Sequence, residues 1–109
     1  MHSFFVGICH VVLYLRHAQT LKDKRQFVQG IKQKLRNQGF SVTECGYSDV
    51  PKQASIGFSY SGSSHSYVQK MVDDGARLFE HLEVTHLKKE VYDSQDEAEY
   101  EPDPESRDE

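Results

Sequence analysis

Between residues 4 and 92 the apolar positions alternate between a period of two and one near 3.6, and the order of these switches outlines a topology. Phe4 to Leu15 is almost continuously apolar, with β-branched Val6, Ile8, Val11 and Val12, and predicts a central strand buried on both faces. Thr20 predicts the N-cap of a helix, with Asp23 in its first turn facing the positive end of the dipole. Leu21, Val28, Ile31 and Leu35 fall on one side of that helix, and Gly39 ends it. A second strand, "FSVTECGY", starts at Phe40 and leads through the turn residues Ser48 to Pro51 into a third, "ASIGFSYSG", which stops at Gly62. Ser63 or Ser64 then caps a second helix carrying Val68, Met71, Val72, Ala76, Phe79 and Leu82 on one face, with Gly75 letting the helix approach the sheet. The last strand is expected at Val84 to Tyr92.

This order, βαββαβ, predicts a ferredoxin-like α+β sandwich: a four-stranded sheet with strands one and three central, two helices on one face and the other face open. On the third strand Ile56, Phe58 and Tyr60 must point under the helices, because the alternate set, Ser55, Gly57, Ser59 and Ser61, cannot fill a core. The aromatic "GFSY" therefore does not display stacking platforms for RNA in the manner of an RNA-recognition motif. If Cys9, Val11, Leu13 and Leu15 also face the helices, then Val6, Ile8, His10, Val12 and Tyr14 line the open face beside a ladder of small residues. That apolar stripe predicts a homodimer interface.

Charge changes the picture at both ends of the chain. Residues 1–92 hold twelve Lys or Arg against eight Asp or Glu, a net +4, whereas 93–109 hold one Arg against nine acids, a net −8. The C-terminal stretch "DSQDEAEYEPDPESRDE" has no aliphatic side chain larger than Ala98 and cannot offset its ordering entropy by burial. The expected organisation is one domain over 1–92 and an acidic disordered tail over 93–109. No apolar run approaches the eighteen or so residues of a membrane span. The opening segment lacks a basic region before its apolar stretch and reads as a strand rather than a signal peptide. Two distant cysteines support neither a disulfide framework nor a zinc site, and a reducing cytoplasm is the expected compartment.

Three stretches, "GICHVVLYL", the "LKDKR" run Leu21 to Arg25, and "ASIGFSYS" after a polar hairpin, together resemble the bacterial YlxP-like family, a domain of unknown function (DUF503). The resemblance spans Phe4 to Tyr92 and implies a small ferredoxin-like domain with no established activity. Genes for members often lie beside those for translation and ribosome maturation, which implies an RNA or ribosomal partner by association. Relatives tend to carry Asp-Leu-Trp before the third strand where this chain has Asp49-Val50-Pro51, so any role of that tryptophan lacks a counterpart here.

The first helix carries a matching physical signal. At 100° per residue, Lys22, Arg25, Lys32 and Arg36 fall in a sector of about 80° and run for roughly 20 Å along the axis, a spacing suited to a phosphate backbone. Lys24, in the same run, is a fifth candidate phosphate contact. Asp23 is the only acid between Arg16 and Gln38, so no i,i+4 pairs balance these charges.

Signals for chemistry are weaker. "SGSSH" lacks a nucleophile elbow, and its serines suit helix capping. Asp73 and Asp74 diverge by about 100° and cannot pair. No histidine spacing fits a metal, and no glycine-rich loop precedes either helix, so no catalytic residue, metal or cofactor is assigned. The sequence thus predicts a non-enzymatic accessory domain that binds RNA or a ribosomal surface through the first helix. A regulatory homodimer using the open face and a small enzyme with an unrecognised site are the alternatives.

Overall fold

The computed structural model describes residues 2–96. The elements are β1 (Phe5–Tyr14), α1 (Leu21–Asn37), β2 (Ser41–Glu44), β3 (Gln53–Gly62), α2 (His65–Ala76), a 3-10 turn (Arg77–Phe79) and β4 (Val84–Asp93). All three strand pairings are antiparallel and the sheet order is β2-β3-β1-β4, so β1 and β3 are central as the apolar pattern predicts. This is the ferredoxin-like arrangement, with both helices on one face.

The caps follow from local chemistry. Thr20 Oγ1 accepts the Asp23 N–H at 3.1 Å, while Asp23 Oδ2 accepts the N–H groups of Thr20 at 3.2 Å and Gln19 at 3.0 Å. This reciprocal box satisfies three amides at the start of α1. Hydrogen bonds from those amides hold the Asp23 carboxyl below its ordinary range. At the other end the C-cap is Gln38, and Gly39, one residue later, turns the chain with a left-handed φ of 102°. Ser64, not Ser63, caps α2 by accepting the Tyr67 N–H.

The core lies between the sheet and the helices. Val11, Leu13, Ile56 and Phe58 from the sheet meet Val28, Leu35, Val68, Val72 and Phe79, all at most 3% exposed. Phe58 sits edge-on to Phe40 and stacked with Phe79. Gly75 is required by close approach: a Cβ there would lie 2.7 Å from the Phe58 ring and 2.9 Å from that of Phe40.

Beyond shifts of one residue at the ends of β1 and β3, three boundaries differ from the sequence expectation. β2 stops at Glu44, since Gly46 and Tyr47 take φ of 123° and 59° and the chain swings out of the strand before the expected end, although Cys45 N–H still reaches Ser55 O at 2.8 Å. α2 ends at Ala76 and tightens into the 3-10 turn, which delivers Phe79 to the core at a different pitch. β4 runs through Asp93, and Ser94 closes on the other terminus: its N–H donates to Phe4 O, and its Oγ accepts the Phe4 N–H, both at 2.9 Å. The tail expected over 93–109 lies, from residue 97, outside the described residues. Among the described residues no helix is long and apolar enough to cross a membrane.

Candidate functional site

α1 divides into two sides. Val28, Ile31 and Leu35 are buried against the sheet, while Lys22, Arg25 and Arg36 are exposed and Lys32 is half-exposed on the flank. Among the described residues none of these four cations enters a salt bridge, unlike Lys70 and Arg77 of the α2 region, both paired with Asp74. Among the described residues the stripe is therefore a band of positive charge without an ion-pair partner on an outer helix face.

Lys24 must be removed from it. The side chain is buried, with the residue only 2% exposed, and Nζ donates to the backbone carbonyls of Tyr47, Val50 (3.0 Å) and Gln53 (2.9 Å). Glu44 Oε2 lies 3.5 Å away. The ammonium thus fastens α1 to the β2–β3 connection and presents no charge to a partner. Lys52 makes the reciprocal link, donating from that connection to the carbonyls of Arg16 and Ala18 in the β1–α1 turn. The signal was present in the helical wheel, because at 100° steps Lys24 falls amid Val28, Ile31 and Leu35 rather than with Lys22 and Arg25.

On the sheet, burial alternates along β1 as expected. Cys9, Val11, Leu13 and Leu15 are covered by the helices, and Val6, Ile8, His10, Val12 and Tyr14 lie half-buried on the open face. Their neighbours are the small residues Ser55, Gly57, Ser59 and Ser61 of β3 on one side and His86, Lys88, Glu90 and Tyr92 of β4 on the other. The β4 side is polar: Lys88 pairs with Glu90 at 3.3 Å, and Tyr92 Oη donates to Glu90 at 2.5 Å, which lowers the Glu90 carboxyl and raises the Tyr92 phenol. Arg16 crosses the Tyr14 ring at 5.4 Å and grips Glu83 with a bidentate pair. The apolar part of this face is thus Val6, Ile8 and Val12.

Phe58 and Tyr60 lie under the helices, Tyr60 wedged between Phe40 and Tyr67. The residues tested for chemistry are engaged in structure. Ser64 caps α2, His65 packs edge-on to Phe5, and Asp73 accepts from Lys89 at 2.9 Å, a bond that lowers its pKa. Among the described residues no group of three or more His, Cys, Asp and Glu side chains could hold a metal ion. A contact that sequence reasoning missed joins β1, β3 and the residue that follows β2 on the open face: His10 Nε2 lies 2.6 Å from Ser55 Oγ, which lies 3.3 Å from Cys45 Sγ.

The fold and these sites define a small ferredoxin-like domain with a basic helix and an open sheet face. Residues 6–90 match the family described as "Protein of unknown function (DUF503)", and the chain belongs to that family. No curated protein matches it. Among solved structures it is similar to the de novo designed protein Ferredog-Diesel, at 9% identity over 78% of this chain and 83% of that one, TM-score 0.50. The designed protein Foldit4 aligns at 9% identity over 86% and 99%, TM-score 0.49. A dimeric ferredoxin-like protein from an uncultured marine organism aligns at 10% identity over 84% and 94%, TM-score 0.41.

Proposed function

We propose that this domain is a non-enzymatic accessory protein that binds the phosphate backbone of structured RNA, such as a ribosomal surface, through the outer face of α1. The observation that carries this reading is the set of Lys22, Arg25, Lys32 and Arg36, which share one side of the helix without a counter-charge among the described residues. Uncompensated like charges cost stability, and neutralising phosphates returns that cost as counterions leave the nucleic acid. Backbone contacts of this kind position a protein on RNA and carry little sequence information.

The test is fluorescence anisotropy of a labelled RNA hairpin. Lys22→Glu with Arg25→Glu is expected to weaken binding at least tenfold while the melting temperature stays nearly unchanged, since both side chains are exposed. Four phosphate contacts give a log–log salt slope of about −3 to −4. A flat salt response, or equal binding by the double variant, removes this reading. A second reading, a regulatory homodimer, rests on Val6, Ile8 and Val12 lying beside the Ser and Gly ladder of β3, where small neighbours permit close approach of another sheet.

A further inference from the structure

Along β3 the open face has almost no side-chain height at Ser55, Gly57 and Ser59, while β1 rises on one side with Ile8 and His10, and on the other stand Thr43 of β2 and Cys45 just beyond its end. The result is a groove of about 420 Å³ whose lining includes Ile8, His10, Thr43, Cys45, Gly57 and Ser59. At one end three polar side chains from three segments converge. Ser55 is 2% exposed, yet its hydroxyl is held between His10 Nε2 at 2.6 Å and the exposed Cys45 Sγ at 3.3 Å. His86 stacks edge-on to His10 at 5.4 Å, and Lys88 stands opposite it in the strand register. Packing needs none of this: a buried serine between a histidine and a thiol contributes no apolar area, and its hydroxyl keeps its place only because both partners satisfy it.

We propose that Cys45, Ser55 and His10 form a thiol site that takes up a peptidic thiol from its disulfide, with the groove receiving the transferred half. Ser55 is the relay. The Cys45 thiol passes its proton through the Ser55 hydroxyl to His10 Nε2, and the sulfur attacks one sulfur of the incoming disulfide. A new S–S bond forms to Cys45, the old one breaks, and the leaving thiolate recovers the proton and departs as a free thiol. One disulfide is consumed and one is formed, so no other oxidant is required. The ligand class follows from the walls. The lining hydroxyls of Ser41, Thr43 and Ser59 offer hydrogen-bond partners to the polar backbone of a peptide-like chain, and Ile8 offers it an apolar contact. Cys9 is the built-in comparison: it lies on the other side of the sheet, 1% exposed, and burial pushes its thiol up to about 11.

The experiment treats the full chain with glutathione disulfide near neutral pH and follows the adduct by intact mass, locating it by peptide mapping. An adduct on Cys45 and not on Cys9 is expected, formed at least about tenfold more slowly in Ser55→Ala and His10→Ala, in keeping with the scale of proton-transfer assistance. Added imidazole should restore the rate of His10→Ala, which a merely structural role for the ring would not allow. Melting temperatures of both variants show whether they remain folded. Equal rates in wild type and both variants overturn the proposal. So does the absence of an adduct on Cys45, or a loss in His10→Ala that imidazole leaves unrescued. The RNA reading is untouched by any of these outcomes, since α1 lies on the opposite face of the sheet.

Discussion

Replacing Lys24 with Met is the most revealing single change in this molecule. The methionine stem fills much the same volume, so the packing against Val28 and Ile31 survives and only the ammonium is lost. Its loss leaves three carbonyl acceptors, of Tyr47, Val50 and Gln53, without their common donor, and strands Glu44 beside them. The Tyr47 and Val50 carbonyls keep backbone donors, the N–H groups of Val50 at 3.1 Å and Gln53 at 3.4 Å. The cost therefore falls on the Gln53 carbonyl, about 1–3 kcal/mol for an acceptor left unpaired, and on the ion pair with Glu44, for which removing one buried partner costs about 3–5 kcal/mol. Glu44 is 27% exposed at its side chain and can be partly rehydrated, and the connection can shift to admit water, so the lower end applies. A loss of about 3 kcal/mol is a large share of the roughly 5–15 kcal/mol that holds a domain together. It corresponds to a fall in melting temperature of about 12–24 °C for a domain of this size. Thermal unfolding followed by circular dichroism reads it directly. The neighbouring Lys22→Met, on the solvent side, should stay within about 4 °C of wild type. If Lys24→Met melts as close to wild type as Lys22→Met does, the clamp contributes nothing net and the account of why α1 stays fastened to this connection is wrong.

Val12→Lys places a charge in the middle of the apolar part of the open face and should convert a dimer into a folded monomer; sedimentation showing wild type already monomeric at about tens of micromolar would remove the dimer reading. Asp23 has a folded pKa below its ordinary 3.8, so its contribution is present above that value and is lost as pH falls through the folded one. Asp23→Asn should therefore melt lower than wild type at pH 7, with the gap closing toward pH 3, and an equal gap at both pH values would contradict the capping argument. Ending the chain after Asp96 removes seven acids and one arginine tethered to a basic domain, and should raise RNA affinity several-fold at low salt with the gain fading as salt rises. Equal affinity of the two chains at low salt would show that the acidic segment does not compete for α1.

Most of the fold was legible because it is written in local patterns. The continuous apolar run of β1, the alternation of β3 and the Thr20–Asp23 cap each act within a few residues, and each appears where the pattern put it. What failed depends on tertiary context. Counting Lys24 with the surface cations rested on its residue type, whereas its position on the wheel already placed it inward; only the carbonyls of a loop about 25 residues away could make burial tolerable. The early end of β2 turns on two left-handed residues, of which Gly46 is a signal the sequence does carry and Tyr47 is not. The Cys45, Ser55 and His10 contact was out of reach for the same reason: alternation puts Ser55 and His10 on one face, but their register, and the path of the chain after Glu44, are set by the assembled sheet.

The pairing of β1 with β4 also constrains how the chain reaches its native state. Phe4 and Ser94, joined by two hydrogen bonds, are 90 residues apart, and the strand at the centre of the sheet has its last-made strand as a direct neighbour. During synthesis, β1 must wait with one apolar edge uncovered until β4 has emerged, whatever the state of the hairpin and helices between them. Such a layout has high contact order, which slows folding and prolongs exposure of a sticky strand to other chains. Val6, Ile8, Val11 and Val12 are then the segment that a chaperone, or a misassembled second copy, would meet first on the nascent protein.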